Sequence, residues 1–348
     1  MSSRILVITR VAAHFRSGLY CELSKLCSLT IFAGRARSHE GIKEMSKVES
    51  VEVRHTAYYY LPFGLFISPH SIRSVWSGHF DKVIVTPTPR DLGLFAILLI
   101  AYFRGIPVYG FAMGNMPGKS PIRTFVDKLA VRIVLSSLTK VLCYSTLACQ
   151  YYSSLTSRPC ITVYNSNLGI ADIDQILDLK VKYCNSVKEE GRLCFIGRLV
   201  PGKNIEQLCT VFSELEGDSV LEIIGDGPLL IGLKHKFSCD SRIIFRGFLE
   251  REEAWKILVS ADAFILPGLG GLAIQEAIAC DCFVICAEGD GTELDLITNN
   301  VNGVFFEPNN FEDLQDKLIN YKTGRLGSSH KKKRLNQQLL KRHNVQAL

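Results

Sequence analysis

The sequence has no apolar run long enough to cross a bilayer. Its longest, "LGLFAILLIAYF" at 92–103, falls well short of the roughly 20 residues a membrane helix needs, and a buried helix is the better reading. The start, "MSSRILVITRV", lacks the features of a signal peptide and reads as a first strand. No G-x-G-x-x-G follows that strand, which counts against a dinucleotide-dependent dehydrogenase. No helix-turn-helix, finger or RNA-binding motif is visible, so nucleic acid is not an expected partner. No His lies near Cys280, Cys282 and Cys286 to complete a zinc site, and no metal is expected there. With 47% hydrophobic and 21% charged residues, the composition is not that of a disordered chain.

Cysteine, by contrast, is plentiful, with 12 residues. Most sit inside apolar runs such as "RLCFIG" and "CFVICAEG", where they behave as small buried hydrophobes. Reduced thiols point to a cytoplasmic protein. The length of 348 residues suggests two domains. Charge is divided unevenly between them. Residues 1–165 carry 19 Lys/Arg and 8 Asp/Glu, residues 166–321 carry 13 and 26, and residues 322–348 carry 8 and none. One reading is solvated surfaces without a role. The other is a basic N-terminal half that faces an anionic membrane or acceptor, so that the protein is peripheral at a membrane.

The pattern along the chain is strand, turn, helix, repeated. Strand candidates in the first half are 4–9, 29–34, 51–58, 82–88, 107–113, 140–145 and 161–165. Most are continuous apolar or β-branched runs, as expected for parallel strands buried on both faces. The pattern restarts after the polar stretch 180–192, with strands expected at 193–198, 220–227, 242–248, 263–268, 282–289 and 303–308. Helices are expected between them at 203–216, 228–238, 250–260 and 271–280. Two such series argue for two Rossmann-like domains with mostly parallel sheets facing across a cleft. The expected division is an acceptor-side domain at 1–165, a linker at 166–190, a ligand-binding domain at 191–322 and a basic, partly helical tail at 323–348. In such sheets, ligands sit outside the carboxyl ends of the strands.

Three loops there carry chemistry. In "FIGRLVPGKN", a strand ends at Gly197, Arg198 follows, and Lys203 is expected to open a helix. Two cations near a helix N-terminus form an anion site; Arg grips a diphosphate bidentately and Lys supplies a point charge. An ordinary solvated turn is the plainer alternative. In "IIGDGPLL", Gly225 and Gly227 permit a tight turn and Pro228 suits a first helical position. In "LPGLGGLAIQEAIACD", Gly270 and Gly271 let backbone approach a ligand, and Glu276 follows on an apolar helix. A carboxylate there needs partners. Vicinal sugar hydroxyls would serve, as would a structural base. The pair Asp172 and Asp174 precedes another apolar helix and reads as capping rather than as a metal site.

Together these motifs resemble the nucleotide-sugar domain of GT-B glycosyltransferases, specifically glycosyltransferase family 4. The resemblance runs from about Arg192 to Leu318, through "GRLVPGKN", "GDGP", "FRGFLEREEAWKILVSADAFILPG", "GGLAIQEAIACDCFVI" and "GTELDLITNNVNGVFFEP". It implies that Arg198 and Lys203 hold the donor diphosphate, that Glu276 binds the nucleotide ribose, and that Gly247 and Phe248 lie by the base. Gly197, Gly225, Gly268, Gly270, Gly271 and Leu272 complete the expected donor-binding set. The catalytic candidates are Arg198, Lys203, Glu276 and Asn115. Asn115, in "GFAMGN", stands near where many relatives have a His after the fifth strand.

The implied function is a retaining glycosyltransferase that takes a hexose-type sugar from a UDP-sugar or GDP-sugar. The acceptor would be a glycan or lipid-linked glycan in polysaccharide or glycoconjugate synthesis, with no cofactor or metal required. One departure stands out. The family often carries a second Glu eight positions before Glu276, and here that position is Gly268. The departure leaves two alternatives: a non-catalytic GT-B module that binds a nucleotide sugar or a partner, and a sugar-nucleotide epimerase.

Overall fold

The computed structural model describes residues 2–37, 43–45, 51–112, 125–164, 166–183, 191–268, 270–289, 291–326 and 329–343. The chain divides between Asn167 and Leu168 into two compact units. The first contains, in order, β1 (Arg4–Val11), α1 (Ser17–Leu26), β2 (Ser28–Gly34), β3 (Val51–His55), β4 (Tyr59–Tyr60), β5 (Phe66–Ile67), α2 (Pro69–Ser77), β6 (Lys82–Val85), α3 (Leu92–Phe103), β7 (Val108–Ala112), α4 (Phe125–Ser136), β8 (Lys140–Cys143), α5 (Thr146–Ser153) and β9 (Cys160–Thr162). Its main sheet has the order β3-β2-β1-β6-β7-β8-β9. Every neighbouring pair is parallel. Successive side chains of a strand point to opposite faces. Thus Leu6 and Ile8 of β1 join one core cluster while Val7 joins another. Burial on both faces is why these strands read as continuous apolar runs.

The stretch 51–58 is not one strand. β3 ends at His55, and the chain continues into a short antiparallel hairpin, β4 with β5, around a tight turn at Pro62–Gly64. The apolar run 92–103 is the helix α3, but only one side of it is buried: Leu94, Ile97, Leu98 and Ala101 lie inside while Leu99, Tyr102 and Phe103 are exposed.

The second unit contains α6 (Ile170–Tyr183), β10 (Arg192–Ile196), α7 (Ile205–Ser213), β11 (Val220–Ile224), α8 (Leu230–Lys236), β12 (Ile243–Gly247), α9 (Arg251–Ser260), β13 (Ala263–Leu266), α10 (Leu272–Ala279), β14 (Phe283–Ala287), α11 (Thr292–Leu296), β15 (Gly303–Phe306), α12 (Phe311–Lys322) and α13 (Ser329–Arg342). The sheet order is β12-β11-β10-β13-β14-β15, again parallel throughout. The winding reverses between β10 and β13. The crevice outside the carboxyl ends of those two strands is where such a sheet accepts a ligand.

The region 166–190 holds α6, which packs on α9. The basic tail holds α13, and it is docked. Buried Asn336 accepts from Asn302 Nδ2 at 3.2 Å and donates to Asp281 Oδ1 at 3.1 Å. Asp281 in turn pairs with Lys180 of α6 at 2.5 Å. His343 is buried beside this helix. Burial, assisted by the Arg342 charge, pushes its pKa down to about 4.

Cys194, Cys280, Cys282 and Cys286 lie in the core of this unit. Burial holds the thiols of Cys194, Cys280 and Cys286 well above their ordinary pKa, and that of Cys209 is pushed up to about 12. Cys282 donates to the Leu258 carbonyl at 3.1 Å. Among the described residues, no group of three or more His, Cys, Asp or Glu is placed to hold a metal ion, and no helix is long and apolar enough to cross a membrane.

Candidate active site

Three loops interlock through their backbones at the carboxyl ends of β10, β11 and β12. Gly197 N–H donates to Ile224 O at 3.0 Å, and Leu199 N–H to Asp226 O at 2.9 Å. Gly225 N–H donates to Gly247 O at 2.8 Å. Gly225 has φ +140, and a Cβ there would lie 1.9 Å from the Gly197 carbonyl oxygen. Any side chain would therefore push the Arg198 loop away. The glycines of "GDGP" thus act as the bed on which "GRLVPGKN" rests. Pro228 lies in the turn ahead of α8, not at its first position.

Lys203 does not open a helix. It ends a short 3-10 turn at Pro201–Lys203, and Asn204 follows in the left-handed region at φ 53 before α7 begins at Ile205. Asn204 Nδ2 donates to the Pro267 carbonyl at 3.1 Å. That bond ties the β10 loop to the β13 loop across the point where the winding reverses. A Cβ at Gly270 would meet Lys203 Nζ at 2.4 Å, so the ammonium rests against the glycine turn. Gly268 explains its own departure. A Cβ there would lie 2.4 Å from Gly202 O and 2.7 Å from Lys203 Cα. The backbone of the 201–204 turn fills the space a glutamate would need. Gly271 abuts Thr292 Oγ1 at the start of α11, and Leu272 begins α10, half-buried.

Glu276 sits in the second turn of α10, only 8% exposed. Its carboxylate lies 3.7 Å from the Arg251 guanidinium. Arg251 begins α9, stacks over Trp255 at 4.8 Å, and also reaches Asp172 at 3.3 Å. Asp172 itself accepts from Gly169 N–H at 2.8 Å, at the start of α6. A structural base therefore does reach Glu276. Nothing in the sequence singled out Arg251, because the contact joins three helices distant in the chain.

A second buried acid also escaped the sequence reading. Glu293, at the start of α11, accepts from Gly289 N–H and, at 3.1 Å, from Gly291 N–H. It fixes the loop after β14 from within. Its only signal was its place in "GDGTE", two residues after the second glycine. Phe248, after β12 at the outer edge of the sheet, is exposed. Asn115 lies outside the described residues.

The structure thus gathers Gly197, Arg198, Lys203, Gly225, Gly247, Gly268 and Gly270 on interlocked loops, with Glu276 on α10, paired with Arg251. Two cations and close-approaching glycine backbone suit an anionic ligand such as a diphosphate. A mostly buried carboxylate on α10, the helix that follows the glycine turn, suits a hydroxylated group that donates hydrogen bonds.

Residues 181–341 match the protein family described as "Glycosyl transferases group 1". Over 248 residues the chain is 29% identical to an Escherichia coli enzyme named UDP-Gal:alpha-D-GlcNAc-diphosphoundecaprenol alpha-1,3-galactosyltransferase, covering 64% of this chain and 62% of that one. It is 26% identical over 168 residues to a Campylobacter jejuni N-acetylgalactosamine-N,N'-diacetylbacillosaminyl-diphospho-undecaprenol 4-alpha-N-acetylgalactosaminyltransferase, covering 45% of this chain and 42% of that one. The chain spans about half the length of the curated relatives it matches. Among solved structures, Anabaena Alr3699/HepE in complex with UDP is similar at a TM-score of 0.70 and 14% identity, over 98% of this chain and 96% of that one. Its structural neighbours are GT-B glycosyltransferases, and GT-B is the fold of this chain. Residues 181–341 form a group 1 glycosyltransferase domain.

Proposed function

We propose that the chain is a retaining glycosyltransferase that moves a hexose-type sugar from a nucleotide-diphosphate sugar to a glycan or lipid-linked glycan. The observation that carries this reading is the meeting of Lys203 with Gly268 and Gly270 at the point where the sheet's winding reverses. Breaking the sugar–phosphate bond leaves negative charge on the departing diphosphate. Arg198, Lys203 and the glycine-loop amides stand ready for that charge, and preplaced donors of this kind are worth roughly a hundredfold each in rate. With these cations in place, the donor needs no metal to neutralise it. Glu276 accepts from the ribose hydroxyls. The resemblance of the motifs to family 4 supports retention of anomeric configuration.

A UDP-sugar is the favoured donor, because the Anabaena neighbour holds UDP and the Escherichia coli relative is named for UDP-Gal. The names of both curated relatives support a diphosphate-linked polyprenol glycan as acceptor. A panel of UDP- and GDP-sugars, assayed for transfer to short diphospholipid-linked glycans, tests the reading. Transfer that falls at least about tenfold in Arg198→Ala supports it. Tight donor binding with no transfer to any acceptor would favour the non-catalytic alternative, and interconversion of the donor sugar without acceptor would favour an epimerase.

A further inference from the structure

The first unit carries an apolar surface that its own fold does not cover. Phe63, at the tip of the β4–β5 hairpin, is 97% exposed. Tyr102 and Phe103 at the end of α3 are 80% and 78% exposed, and Trp76 of α2 is 68% exposed. These groups lie on adjoining elements. α2 packs beside α3, and Arg104 ties their ends together by donating to Val75 O and Gly78 O, both at 2.6 Å. At the other end of α3, the hairpin is joined to its start where Phe66 N–H donates to Arg90 O at 2.9 Å. Leu99, also exposed, lies between on the outer side of α3. The apolar surface therefore follows the whole helix.

Its surroundings are cationic. Neither α2 nor α3 contains an Asp or Glu. Exposed Arg73, Arg90 and Arg104 flank the face, and Arg132 is exposed on α4, which packs against α3. Asp91, just ahead of α3, is half-buried and caps that helix by accepting from Gly93 N–H at 3.0 Å. The tip is also held at a cost. Phe63 adopts φ 62, where a bulky side chain is rare, with its ring in solvent. Exposed aromatics gathered on adjoining elements mark an interaction surface. Tyr, Trp and Phe beside Arg are the side chains that settle at a bilayer interface, with rings among the headgroups and cations on anionic lipid.

We infer that the outer face of α2 and α3, with the Phe63 hairpin, docks the chain flat on an anionic lipid bilayer, inserting Trp76, Tyr102 and Phe103 at the headgroup level. The choice of a lipid occupant rests in part on the proposed lipid-linked acceptor. The docking itself requires neither donor nor acceptor. It goes beyond simple charge attraction, because the aromatic part of the contact survives salt.

The sequence supplies its own probe. It contains two tryptophans, and Trp255 is buried, so lipid-dependent changes in emission report Trp76. The full chain should be mixed with phosphatidylcholine vesicles, with and without phosphatidylglycerol, some carrying brominated acyl chains. Vesicles with anionic lipid should shift Trp76 emission to the blue, and brominated lipid should quench it. High salt should weaken binding but leave residual quenching. Tyr102→Ser with Phe103→Ser should lower partitioning about tenfold or more on both vesicle types. Arg73→Gln should lower it about fivefold on anionic vesicles only. UDP affinity, measured on the same variants, should not change. Such a result would stand even if the glycosyltransferase reading failed. Unchanged Trp76 emission, or binding abolished by salt without quenching, would overturn the inference. So would a lipid-free dimer that hides Trp76 and is dissociated by Phe103→Ser.

Discussion

Arg198 and Lys203 were legible as residues because a local motif places cations after a strand, and locality is what a sequence displays. Gly268 was legible only as a departure. Its reason lies in the 202–203 backbone, which packs against it from a distant part of the chain. Gly268→Ala is therefore expected to destabilise the protein by about 1–3 kcal/mol, seen as a lower thermal midpoint, since the added Cβ overpacks against fixed backbone. Gly268→Glu should not create a second catalytic acid; it should displace the Lys203 turn and weaken UDP binding. Arg251 was invisible for the same reason of distance. It holds the Glu276 carboxylate in place, so Glu276→Gln should lower UDP affinity about tenfold while pyrophosphate binding stays unchanged. Arg251→Gln should shift UDP and UMP affinity alike, by a smaller factor, because the arginine is partly exposed and the pair is screened. Equal losses for UDP and pyrophosphate in either variant would place these residues on the phosphates instead of the ribose.

Elements with a strong repeating pattern were read well. The six strands of the second unit follow their apolar runs, trimmed by one to three residues at their ends, with β10 starting one residue early. Such ends are set by hydrogen bonds to neighbouring strands, which no single run displays. The β4–β5 hairpin was missed because its strands are two residues each, too short to show alternation. The tail, read as basic and partly helical, contains α13, whose docking through Asn302, Asn336 and Asp281 no local pattern displays. That docking carries a pH dependence. His343 is held neutral, with a pKa near 4 in the folded state against about 6.5 unfolded. A group whose folded pKa is depressed binds more protons when unfolded, so its stability contribution is lost as pH falls from about 6.5 towards 4. Hydrogen exchange in α13 should therefore accelerate over that window, and His343→Gln should flatten the dependence. Exchange that is unaffected by pH after correction for its intrinsic rate would contradict the docked, neutral histidine.

At the scale of the molecule, the doubly wound architecture was readable from alternating strands and helices, whereas the strand order was not. The order is what matters for function: it places the loops of β10 and β13 side by side, though 60-odd residues separate them in the chain. The basic first unit carries the aromatic face of α2 and α3, and the second unit, acidic up to residue 321 and ending in the basic tail, carries Arg198 and Lys203 at the crevice beside β10 and β13. The central claim is that this crevice binds the diphosphate of a nucleotide. Calorimetric titration of UDP into the full chain and into Arg198→Ala and Lys203→Ala tests it most directly. Saturable binding to the parent protein and a loss of about tenfold or more in each variant are expected, as for charge-assisted hydrogen bonds to phosphate. Affinity equal to that of the parent protein in both variants would contradict it.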